Sequence, residues 1–158
     1  MISLDRRNQQ GDHPLENCSR SLAYRPHGTL LPRHILLAEA DCERLSARGH
    51  ILERYGYEVL SCGSSQSIER SLGWMSRFVN IREFVDLIIC DVDLLNDAIV
   101  SLIHRGQQEP HFPPLLLITT SVDTQTLQQA QQIKHNGSLH NATDPHEQIV
   151  LVRRWAPY

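Results

Sequence analysis

The chain has 158 residues, 41% of them hydrophobic, with a formal net charge of −3. That length holds one domain with a real core plus some tail, and the charge gives no argument for a nucleic-acid or anionic-membrane binder. No apolar run approaches the roughly 20 residues of a membrane span, and the residues after Met1 form no signal-peptide core, so a cytoplasmic protein is expected.

Residues 1–33 are polar, punctuated by Gly11, Pro14, Pro26, Gly28 and Pro32, and keep no helical or strand period. They read as a flexible N-terminal tail ahead of a domain over 34–158. From His34 onward strand and helix alternate. The first strand covers His34–Glu39, and the first helix Asp41–Tyr55, with Cys42, Leu45, Gly49 and Leu52 on one stripe and Gly56 ending it. The second strand covers Glu58–Cys62. The second helix opens after Gly63-Ser64-Ser65 and carries Ile68, Leu72 and Met75. Trp74–Glu83 reads as a longer helix or an irregular connection. The third strand, Val85–Cys90, is followed by a helix after Asn96-Asp97 that uses Ile99, Leu102 and Ile103. Pro110, Pro113 and Pro114 make a loop. A fourth strand at Leu115–Thr119 leads to a helix at Thr124–His135. A short fifth strand, Ser138–Asn141, precedes a last helix opened by Asp144-Pro145-His146-Glu147, a sequence suited to an N-cap, a proline at the first helical position and a capping box.

Five such units predict an α/β fold. It is a flavodoxin-like, doubly wound parallel sheet of order 2-1-3-4-5 with helices on both faces. The runs Ile35–Ala38, Leu87–Cys90 and Leu115–Ile118 are continuously apolar, as strands buried on both faces require. Cys62 and Cys90 fall in such strands, and none of the four cysteines is spaced for a metal, so buried thiols in a reducing compartment are expected. The nine histidines are scattered, without zinc-site spacing.

Three strands stop on a polar group: Glu39, Asp91 and Thr119. In open parallel sheets ligands bind beyond the carboxyl ends of the strands. With the first and third strands adjacent, Glu39 and Asp91 share one crevice. Two such carboxylates share a proton or hold a cation, and an all-oxygen set suits Mg²⁺. A carboxylate is also a nucleophile toward a phosphoryl group, and Thr119 stands where its hydroxyl would meet a phosphoryl oxygen. Each residue also has a plain structural reading: Asp91 as the cap of the next loop, Glu39 as a solvated strand end, and Asp41 as the cap of the first helix.

Ile35–Asp41, Tyr55–Val59, Asp86–Asp91, Leu117–Thr120 and Asp144-Pro145, in that order and spacing, resemble the receiver domain of two-component response regulators, the CheY-like family. The resemblance spans about His34 to Trp155. It implies Asp91 as phosphoacceptor, Glu39, Asp91 and Asp93 (by its backbone carbonyl) at a Mg²⁺ site, and Thr119 as the switch hydroxyl. It also implies a sensor histidine kinase or phosphotransfer protein as the phosphoryl source. An output protein would bind on the fourth helix, fifth strand and fifth helix, a face that also serves homodimers. No catalytic turnover, direct nucleic-acid contact or membrane contact is implied, and no GxGxxG, P-loop or GxSxG motif suggests an enzyme.

Two departures bear on the site. Ala40 stands where the family has its second acidic residue, which weakens the expected Mg²⁺ site. Lys134, the only lysine, belongs to the fourth helix, so Asn141 stands at the position of the family's phosphoryl-contacting lysine. A neutral hydrogen bond there has about half the strength of a charge-assisted one. Two readings stay open: a phosphorylated receiver with an impaired site, and a phosphorylation-independent pseudo-receiver that binds proteins.

Overall fold

The computed structural model describes residues 33–77, 80–119, 123–140 and 144–157; the expected tail, Asn141 and Thr120 fall outside them. Five parallel strands form one sheet in the order β2-β1-β3-β4-β5. They are β1 (His34–Ala38), β2 (Glu58–Cys62), β3 (Leu87–Asp91), β4 (Leu115–Thr119) and β5 (Gly137–His140). Between and after them lie α1 (Cys42–Arg54), α2 (Ser65–Met75), α3 (Asp97–Gly106), α4 (Thr124–Gln131) and α5 (Pro145–Trp155). The predicted fold class and strand order are those observed.

Every residue of β1 and β3 is buried. Alternation then sorts them between two cores. Leu36, Ala38, Ile88 and Cys90 face Ile68, Leu72, Ile99 and Ile103 of α2 and α3. Ile35, Leu37, Leu87 and Ile89 face Leu52 of α1 and Ile149 and Val152 of α5. Burying each such aliphatic side chain contributes about 1.5–3 kcal/mol, which fixes the register, since a one-residue slip would exchange the two faces.

Local signals set most boundaries. Ser64 and Ser67 form a reciprocal capping box at α2. At the end of α1 the Tyr57 amide donates to Leu52 O and the Gly56 amide to Glu53 O, with Gly56 at φ 89°. This is a Schellman turn, and it needs the left-handed backbone that glycine adopts without strain.

Other boundaries differ from expectation. The Trp74–Glu83 segment takes the irregular alternative: α2 stops at Met75, a 3₁₀ turn covers Ile81–Glu83, and the Trp74 and Phe84 rings pack edge-on at 5.4 Å. Helix α4 ends at Gln131 rather than His135, because the following residues are held from outside the helix. Gln107 bonds both backbone groups of Lys134, and Asn136 pairs with Leu115 through its own amide and its side chain. The predicted β3 begins two residues early, because Val85 closes the turn on Ile81. At α5, Pro145 occupies the first turn as expected, but the Asp144 side chain makes no capping bond. The proline already presets the backbone there. On α1, Cys42 is exposed, and Arg48 takes a buried place beside Gly49 and Leu52.

Candidate functional site at the carboxyl ends of β1 and β3

Strand pairing brings the polar strand ends together. Ala38 lies opposite Cys90, so Glu39 and Asp91 follow side by side, and Asp91 lies opposite Ile118, one residue before Thr119. The chain turns away to β2 on one side and β4 on the other, which makes this the switch point of the sheet. Glu39 and Asp91 are both fully buried.

Asp91 ends β3 and caps the 3₁₀ turn Val92–Leu94. Its Oδ1 accepts from the Asp93 amide at 3.0 Å, and its Oδ2 from the Ala40 amide at 3.3 Å. Burial raises its pKa; the two amide bonds oppose that rise, and the Asp93 and Glu39 carboxylates add to it. Asp93 is exposed on the same turn. Thr119 donates its hydroxyl to the Leu139 carbonyl at 3.3 Å, a bond into β5. Asn141 lies outside the described residues.

Glu39 is engaged by groups the sequence reading did not single out. Its Oε1 accepts from Arg44 Nε at 2.7 Å and its Oε2 from Arg48 Nε at 2.9 Å. The two arginines stand one turn apart on α1, on the same side of the helix. Arg48 is 6% exposed and reaches past Glu39 to donate from Nη1 to Gln148 Oε1 on α5 at 2.8 Å. Arg44 is 42% exposed and also lies 4.0 Å from Asp41. Asp41 is the N-cap of α1, accepting from the Arg44 amide, as its structural reading predicts. The signal for this cluster was present in the sequence: arginines at spacing four on a helix that opens just after a strand-end glutamate. Glu39 is therefore not the solvated strand end of its plain reading; α1 folds over it and supplies its counter-charges.

The donor set does not fit a resident divalent cation. Mg²⁺ is held through one or two carboxylates together with waters and phosphate oxygens. Here both oxygens of Glu39 are occupied by guanidiniums, and residue 40 offers no side-chain donor. The expected set of Glu39, Asp91 and Asp93 thus comes together as neighbours in the fold, with Glu39 committed to arginine.

No family model and no curated protein matches the sequence. Solved structures do match in fold. The receiver domain of the sensor histidine kinase PA1611 from Pseudomonas aeruginosa, with magnesium in its active-site cleft, superposes with a TM-score of 0.62 at 19% identity over 78% of this chain and 97% of that one. A CheY-like response-regulator receiver domain protein from Methanospirillum hungatei gives 0.60 at 16% identity over 78% and 92%. The chemotaxis protein CheY4 from Vibrio cholerae gives 0.59 at 20% identity over 78% and 98%. The fold is the CheY-like receiver fold.

Proposed function

We propose that this chain is a receiver-fold signalling protein of the two-component type that works as a phosphorylation-independent protein-binding module. The observation that carries this reading is the closure of Glu39 by Arg44 and Arg48. A phosphoryl-accepting cleft needs a free cation site beside the acceptor, whereas this one is neutralised from within and its Asp91 is fully buried. The sequence adds a second support, since no lysine follows Lys134. The surface we assign to an output partner, or to a second copy, is that of α4, β5 and α5, where Leu127 and Val150 are exposed apolar side chains at 41% and 58%. We assign the protein no turnover of its own and place it with cytoplasmic partners; no helix of the described residues is long and apolar enough to cross a membrane.

A specific observation favours the second reading, in which a histidine kinase or phosphotransfer protein phosphorylates Asp91 with Mg²⁺. Asp91 stands at the carboxyl end of β3, at the switch point, next to a second carboxylate. Intact-mass spectrometry after incubation with a small phosphodonor and Mg²⁺, with Asp91→Asn as control, separates the two. The proposed mode predicts no added phosphoryl mass and equal partner affinity for wild type and Asp91→Asn. A phosphoryl mass on wild type alone would replace it with the second reading.

A further inference from the structure

We propose that Arg44 is the resident cation of the cleft, its guanidinium taking the place on Glu39 that a divalent ion would need, so that the site is metal-independent by construction. Three observations support this. The Nε of Arg44 holds Glu39 Oε1 at 2.7 Å, the shorter of the two guanidinium bonds to that carboxylate. Arg48 is fixed at a second point by Gln148 and is buried, so it cannot swing away without orphaning a buried charge. Arg44 is therefore the group that an incoming ion must displace, and at 42% exposure it is the one on the solvent side.

The contacts of Arg44 agree with this role. Its Nε donates to Glu39 Oε1, and its Nη2 lies 4.0 Å from Asp41 Oδ2 at the start of the same helix. One guanidinium thus answers two carboxylates, Glu39 and Asp41. Mg²⁺ sheds its waters reluctantly and demands near-octahedral oxygen ligands. A planar cation already hydrogen-bonded to the carboxylate forecloses that geometry.

Metal-independence rests on the same reading of the cleft, yet the two ideas fail separately. Metal binding reports on Arg44, whereas partner affinity of Asp91→Asn reports on the mode of signalling. The experiment titrates the full chain with MgCl₂ by calorimetry. Mn²⁺ then serves as a paramagnetic probe of the amide signals around residues 39–41 and 91–93. Wild type is expected to show neither saturable heat nor selective broadening. Arg44→Lys, which keeps the charge, is expected to match it. Arg44→Ala frees Glu39 Oε1 beside Asp91 and is expected to gain saturable binding, at least about tenfold tighter than wild type. Arg44→Gln, which keeps much of the side-chain stem, replaces it if the alanine variant does not fold. Saturable binding to wild type or to Arg44→Lys would overturn the proposal. So would a folded neutral variant that binds metal no better than wild type.

Discussion

At Glu39 a fully buried carboxylate accepts from two guanidiniums that differ in surroundings, and the difference decides what a substitution does. Exposed ion pairs contribute little, because water and salt screen them. The Glu39–Arg48 pair is buried on both sides, and removing one partner of such a pair costs about 3–5 kcal/mol, since the other charge is left without compensation. Glu39→Gln is therefore expected to lower stability by about that amount, read as the shift in free energy from urea unfolding. Glu39→Gln combined with Arg48→Met is expected to recover part of the loss, because the orphaned charge is gone. A Glu39→Gln protein as stable as wild type would mean that the pair is not the buried contact described. Gln148 shares this network incompletely: its Oε1 accepts from Arg48, while its Nε2 is buried with no hydrogen-bond partner.

The last turn of α3 shows how element and loop are fitted together. Gly106 ends the helix, and the ring of Phe112 from the following loop lies over it. A methyl group built at Gly106 would stand 2.3 Å from Phe112 Cε2, so the ring would have to move off the core it packs against. Two effects compete in Gly106→Ala. Helix propensity favours alanine by about 1 kcal/mol, and overpacking costs about 1–3 kcal/mol. The ring is half-buried and has little room, so the net expected change is a loss of about 1 kcal/mol, measured by urea unfolding. The same substitution with Phe112→Leu is expected to be neutral or stabilising. If Gly106→Ala alone raised stability, the contact with Phe112 would not be restraining the helix.

For the whole molecule, the pH profile of stability carries terms of opposite sign. Asp41 and Asp123 cap α1 and α4, and hydrogen bonds from the Arg44 and Thr126 amides lower their pKa values. Their stabilisation is present above the unfolded carboxylate value and is lost as pH falls through the lowered folded values. Asp91 runs the other way. Burial raises its pKa, so the folded state holds that proton more tightly than the unfolded chain does. Its contribution is complete below the unfolded value and is lost as pH rises through the raised one. Asp91→Asn removes that term alone. It keeps an acceptor for the Asp93 amide and gives up the longer bond from Ala40, a loss that does not depend on pH. The Tm of Asp91→Asn relative to wild type is expected to rise between the ordinary carboxylate value and the folded value of Asp91, then level off. Parallel Tm curves across that window would show that Asp91 carries no raised pKa.

The sequence by itself determined the sheet. Ile35–Ala38, Leu87–Cys90 and Leu115–Ile118 are apolar without interruption, so they must lie in a parallel sheet covered on both faces. Their polar endings then necessarily collect at one edge. Ser64, Asn96 and Gly56 marked helix ends through local chemistry that needs no partner from elsewhere in the chain. Where α4 stops was not legible, because Gln107 and Leu115, distant in sequence, supply the bonds that pull Lys134 and Asn136 out of the helix. The fate of Glu39 was decided the same way. A strand-end carboxylate binds a metal ion or a guanidinium according to which cation reaches it. Only the folding of α1 back over β1, with Arg48 anchored on Gln148 a hundred residues away, brings the arginines to it.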